Sequence, residues 1–251
     1  MKRLAVFLLG VLAWPALAQP ARIDVQAGVE RLSGPYDDGR VLRLAYVTPG
    51  PEGGAWRVDA DLSHRFGEGG LGLGIHHARD VGGRWTVAGY AGTGTNNVYL
   101  PRFRAGVEGG RKWGPRWVTA VGVGVFDAYD VHRDLLVHAE ARRYGERWVL
   151  QGGGRVTVSS PGAAVGAQAS VAATHISPRG RWVTARLAGG HEAWLVVEPA
   201  PLRVGFESVE ASLAVRQPVV GAVGVLASAT HLRNPYYTRT ALEAGVTLRL
   251  P

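Results

Sequence analysis

Five tryptophans open five near-equivalent stretches of this chain, and that repetition limits the fold more than any other feature. After Gly114-Pro115-Arg116, the residues Trp117, Thr119, Val121, Val123 and Val125 fall on one side of an extended chain and Ala120, Gly122 and Gly124 on the other. The opening returns as Gly83-Arg84-Trp85, Gly145-Glu146-Arg147-Trp148 and Gly180-Arg181-Trp182, and more weakly as Gly53-Gly54-Ala55-Trp56. The interval is roughly 30 residues, a period that solenoid coils and propeller blades also use, so its content has to decide. Each period holds two alternating stretches of about ten residues and two turns, which is one membrane-crossing β-hairpin. Trp56, Trp85, Trp117, Trp148 and Trp182 are therefore expected at one membrane interface.

Lys2 and Arg3, an apolar run over residues 4–12 and Ala16-Leu17-Ala18 before Gln19 read as a secretory signal peptide over residues 1–18. Residues 19–251 then form a single domain. No later stretch approaches the roughly 18 apolar residues that a spanning helix needs, so a membrane fold has to be a barrel. The chain has no cysteine, and a closed hydrogen-bonded barrel is an exported fold that needs none. The formal net charge of +8 is spread along the chain as scattered arginine, which argues against a nucleic-acid interface.

Alternation supports fourteen strands, with twelve as the fallback, in an all-β, transmembrane, antiparallel up-and-down β-barrel. Residues 21–32 set Ile23, Val25 and Val29 against Arg22, Asp24, Gln26 and Glu30. The third strand sets Trp56, Val58 and Leu62 against Arg57, Asp59, Asp61 and Arg65, a row that the dry core of a soluble sandwich would not tolerate. The inward phase of the remaining strands collects Arg43, Arg102, Arg104, Glu108, Glu140, Arg142, Arg155, Glu210 and Glu243 as expected lumen lining. In the eleventh strand Trp182 is in phase with Arg186, which leaves either a bulge or a lumen-facing tryptophan. The longest loop is expected at 192–205 and a turn at Gln217-Pro218. Tryptophan turns are short and the opposite connections mostly longer, which puts the tryptophan end and both chain termini in the periplasm.

Several segments together resemble the YaiO family of outer-membrane β-barrel proteins. They are Gly34-Pro35-Tyr36-Asp37-Asp38, Leu100-Pro101-Arg102 leading into Ala105-Gly106-Val107-Glu108, the Gly-x-Arg-Trp openings, Gly190-His191-Glu192 and Glu243-Ala244-Gly245-Val246-Thr247-Leu248. The resemblance implies an outer-membrane location and a barrel of poorly defined biochemical role. The closing Leu250-Pro251 departs from the terminal aromatic residue that the barrel assembly machinery reads in such proteins.

His175-Ile176-Ser177 resembles the His-x-Ser pair of lipid A deacylases, but Pro178 puts Ser177 in a periplasmic turn, away from the outer leaflet where that chemistry acts. His76 and His77 point to opposite faces of a strand and cannot share a metal. Asp59 and Asp61 share a face with Arg57 and Arg65, which favours salt-bridged lining over a cation site, and Tyr36-Asp37-Asp38 suits a turn. The expectation is a non-enzymatic barrel without metal or cofactor, with a charged, largely occupied lumen and a structural or interaction role. Its expected partners are outer-membrane lipid and the assembly machinery. The alternative is a passive pore or export conduit for anionic or sugar-like solutes, and an outer-membrane lipid hydrolase is a remote third.

Overall fold

The computed structural model describes residues 20–34, 36–50, 53–95, 100–127, 132–196 and 202–251, with side chains excluded at 194–196 and 202–204. The expected signal peptide, Pro35, residues 96–99 and 128–131, and residues 197–201 of the expected loop at 192–205 lie outside these residues. Among the described residues fourteen strands run in order: β1 (Arg22–Leu32), β2 (Gly39–Pro49), β3 (Ala55–Arg65), β4 (Glu68–Val81), β5 (Trp85–Gly94), β6 (Phe103–Trp113), β7 (Trp117–Asp127), β8 (Arg133–Tyr144), β9 (Trp148–Ser160), β10 (Ala164–Ile176), β11 (Trp182–Val196), β12 (Leu202–Val220), β13 (Val223–Arg233) and β14 (Thr238–Arg249). Each pairs antiparallel with its sequence neighbours, and β1 closes the barrel on β14 from Arg22 opposite Arg249 to Leu32 opposite Arg239. Closure leaves no unpaired edge for lipid to meet.

Alternation assigns the two faces. Leu42, Leu44 and Tyr46 on β2, Leu71, Leu73 and Ile75 on β4, and Val121, Val123 and Val125 on β7 all stand exposed on the outer wall. Apolar surface this continuous suits hydrocarbon rather than water. Trp56, Trp85, Trp117 and Trp148 stand on the same outer face beside the short turns. Their polar neighbours sit against them: His77 stacks on Trp56 at 4.1 Å, and the Arg143 guanidinium lies 5.8 Å from the Trp117 ring.

Three expectations need correction. Trp182 does not join the outer row, because no bulge interrupts β11 and the residue keeps the inward phase of Thr184 and Arg186. The expected turn at Gln217-Pro218 is strand: β12 continues to Val220, with a register irregularity between Pro218 and Val220 that accommodates the missing N–H. Gly221 makes the turn instead, at φ 54°. The expected loop at 192–205 is mostly ladder, since β11 and β12 pair from Trp182 opposite Arg216 as far as Val196 opposite Leu202.

A charge on the outer wall tests this assignment directly. Val121→Arg, near mid-depth on β7, should destabilise the barrel by about 2–4 kcal/mol. The check is folding free energy in lipid vesicles, with Thr93→Arg near the loop end of β5 expected to lose much less.

Candidate functional site: a partitioned lumen

The inward rows carry ionisable side chains whose partners often stand two or more strands away, and they reach one another over glycine. Glu243 of β14 lies opposite Gly28 of β1, where a methyl group would come within 2.5 Å of its Cγ, and extends past β1 to Arg43 of β2. Arg43 also donates to Asp61 of β3 at 3.1 Å. His138 of β8 lies over Gly122 of β7, where a methyl would meet its ring at 2.2 Å, and reaches Glu108 of β6 at 2.8 Å. Asp59 of β3 covers Gly74 of β4, and Arg104 of β6 covers Gly92 of β5. The two meet at 3.7 Å. A side chain at any of these glycines would block the crossing, so the glycines are part of the ionic network.

On one side of the barrel ion pairs take up much of the lumen, leaving a smaller cavity of about 200 Å³ beside Arg155, Gln168 and Arg186. Glu30, 1% exposed, accepts from Arg65 at 2.5 Å and lies 3.7 Å from Arg239. Arg239 continues to Glu210 at 3.3 Å, and Glu210 to Arg186 at 3.5 Å. Nearer the tryptophan end Asp24 accepts from Arg216 at 2.9 Å, Thr247 at 2.5 Å and Arg22 at 3.3 Å. Arg155 donates to Gln168, which donates to Glu192 at 3.0 Å. Over the loop end lies an apolar cap of Leu32, Phe206, Leu232 and Tyr237, with Tyr36 and Phe66 packed against it. The Tyr237 ring sits 5.5 Å from Tyr36 and 6.1 Å from Phe66, both edge-on, and burial pushes its phenol up to about 12.

The other side is open. On the inner wall of β4 to β7 stand Gly72, Gly74, Gly92, Gly106, Gly122 and Gly124, and a cavity of about 870 Å³ lies over Gly72 and over the Asp59, Tyr90, Arg104 and His138 side chains that cover the others. It extends from turn residues Gly53, Gly83 and Gly114 at the tryptophan end to Leu100 and Pro101 at the loop end. Two of the carboxylates on its surface each gather several partners. Asp59 faces His76 at 3.1 Å, Arg57 at 3.5 Å and Arg104, while Glu108 faces His138 and Arg142 at 3.2 Å. Arg142 also pairs with Glu140, which accepts from Gln151 at 2.6 Å.

Arg43, Arg57, Asp59, Asp61, Arg65, Arg104, Glu108, Glu140, Arg142, Arg155, Glu210 and Glu243 thus all stand on the inner face. Arg102 does not. It precedes β6, is 59% exposed, and pairs with Asp127 at the rim, because the chain bends before the strand begins. Alternation alone does not single out Glu192, expected in the loop at 192–205, or Arg239, or Tyr90, whose importance comes from glycines on neighbouring strands. His76 and His77 face opposite sides, as expected. His175 packs against Trp148 at 4.8 Å, and Ser177 Oγ accepts the Arg181 N–H at 3.0 Å, so the two serve separate structural contacts. Among the described residues no group of three or more His, Cys, Asp or Glu side chains could hold a metal.

Residues 20–193 match the YaiO membrane beta barrel domain. Among solved structures the chain is similar to the CymD monoaromatic hydrocarbon channel, at 9% identity and TM-score 0.59, covering 100% of this chain and 94% of that one. It is also similar to a bacterial polysaccharide outer membrane secretin, at 10% identity and TM-score 0.54, covering 94% of this chain and 100% of the other. The outer membrane protein Omp33 of Acinetobacter baumannii gives 11% identity and TM-score 0.54 over 93% of this chain and 100% of its own. At such identities the likeness is one of fold. No curated protein matches.

Removing Glu30, itself 1% exposed, would take a carboxylate partner from both Arg65 and Arg239 and leave Arg239 with Glu210. Glu30→Ala is expected to cost about 3–5 kcal/mol. Arg102→Ala, at the exposed rim, should cost about 0–1 kcal/mol. Urea titration of vesicle-folded protein compares the two, and similar losses would refute the filled-side assignment.

Proposed function

The chain belongs to the YaiO family of membrane β-barrels, and on that premise we propose that it is a passive outer-membrane conduit for small polar solutes, sugar-like or anionic. The barrel is an outer-membrane one with a polar, salt-bridge-rich lumen. The observation that carries the conduit reading is the 870 Å³ cavity, bounded at one end by turn residues beside the tryptophans and at the other by Leu100 and Pro101. Its charges are held in place by partners rather than left mobile, so a solute would meet fixed dipoles along the wall. Similar barrels include one named as a channel and one named as a secretin, which supports a wall of this kind being compatible with passage. In this reading residues 1–18 are a signal peptide, and outer-membrane lipid and the barrel assembly machinery are the partners.

A non-conducting structural barrel is the competing reading, favoured by the chain of ion pairs from Arg65 to Arg186 and by the aromatic cap above it. Planar-bilayer recording separates the two. A steady ohmic current is expected from the wild type. Gly72→Phe should lower it: a Cβ there meets only ordinary contact, 3.4 Å from Leu100 Cδ2, and the ring would occupy the cavity. Arg57→Glu should move the reversal potential towards cation selectivity. A folded, heat-modifiable barrel that passes no current would leave the structural reading in possession.

A further inference from the structure

Tyr90 is the aromatic side chain on which the open half of the lumen is organised. It is carried by β5 at mid-span, opposite His76 of β4 and Gly106 of β6. A methyl group at Gly106 would lie 2.5 Å from Tyr90 Cε1 and 2.7 Å from its hydroxyl oxygen. One at Gly124, on the next strand, would lie 2.5 Å from the same hydroxyl. Gly106 and Gly124 are themselves register partners. The ring therefore leaves β5, lies down across β6 and ends over β7, with the backbone of two strands beneath it. Its opposite face is turned to the lumen, where Tyr90 lines both the 870 Å³ cavity and a smaller one of about 200 Å³ against β8 to β11. A ring standing upright would have narrowed the passage, whereas two glycine seats hold it flat.

The surroundings of that face are polar and planar. His76 is near-parallel to Tyr90, with ring centroids 5.9 Å apart at 27°. On one side stands the Asp59 group with Arg57 and Arg104, and on the other the Glu108 group with His138 and Arg142. A flat aromatic surface flanked by carboxylate, guanidinium and imidazole groups matches a ligand with one apolar C–H face and an equator of hydroxyls. That chemistry is a pyranose ring: its axial C–H bonds rest on the negative face of the arene, and its hydroxyls exchange hydrogen bonds with charged neighbours.

We propose that Tyr90, seated flat on Gly106 and Gly124 between the Asp59 and Glu108 groups, is a saccharide-binding platform at the middle of the lumen. It rests on the conduit reading for solute access to the cavity and narrows the solute class to saccharides. The ring face carries the stacking, so the hydroxyl is dispensable and Tyr90→Phe keeps binding. Tyr90→Leu keeps bulk but loses the arene.

The test is run on vesicle-folded, heat-modifiable protein with maltohexaose as the neutral probe and hexagalacturonate as the acidic one. Equilibrium binding is measured by calorimetry, and block by current noise in a planar bilayer. At least one probe is expected to bind the wild type and Tyr90→Phe alike, and to bind Tyr90→Leu about tenfold more weakly, the scale of one aromatic contact. Gly106→Ala, which lifts the ring from its seat, should weaken binding in the same direction. A wild-type current that neither sugar blocks, without measurable binding, overturns the platform and leaves the conduit standing. Binding that Tyr90→Leu weakens, in a barrel that passes no current, removes the conduit and keeps the platform. Equal binding by wild type and Tyr90→Leu overturns the platform whatever the current.

Discussion

Every backbone N–H and C=O that crosses hydrocarbon has to find its partner within the wall, and that requirement governs the structure from the turns inward. Fourteen strands meet it by pairing with their neighbours, and the β1–β14 ladder completes the set. Once the ladder is closed, each strand has a lipid face and a lumen face with no freedom to exchange them, because a one-residue slip would turn every charge outward. Alternation along the chain is thus a consequence of closure, and the ionic interior follows from the alternation.

What the interior does next depends on where side chains are absent. On the filled side, long side chains meet from several strands and a cap of aromatic and aliphatic groups lies over them. On the β4 to β7 side, inward glycines leave the wall thin. The same glycines that open the cavity let Asp59, Arg104, His138 and Tyr90 lie across neighbouring strands. Space and connectivity therefore come from one set of residues. A small residue in a strand usually weakens packing, but here the packing partner is a side chain from the next strand.

The wall was legible in the sequence because its signal is local. A period of two with glycine turns identifies strands one at a time, and the repeated tryptophans set their phase. The errors fell where local signals conflicted. Pro218 looked like a turn and proved to lie in a strand with irregular register, and Trp182 was drawn into the interface row by its Gly-Arg-Trp opening although its phase matched Arg186. Arg102 had the right phase but stood before its strand began. The lumen's division into filled and open sides was not legible. It depends on which inward residues face one another two or three strands apart, as Glu243 faces Arg43 and Asp59 faces Arg104. No single-strand pattern records that juxtaposition.

The Arg43–Glu243 pair spans the seam and joins residues 200 apart, Arg216–Asp24 joins residues 192 apart, and Thr247–Asp24 residues 223 apart. None of these contacts can exist in a nascent wall that lacks its first or last strands. Hairpins along the chain can form from near neighbours, but these bonds wait for the two ends of the polypeptide to arrive together. The seam is therefore fastened twice, by its backbone ladder and by side chains that reach over it. The second fastening ties the first strand to the last ones through side chains as well as backbone, so loss of either terminal strand would cost ionic contacts deep in the lumen as well as a ladder.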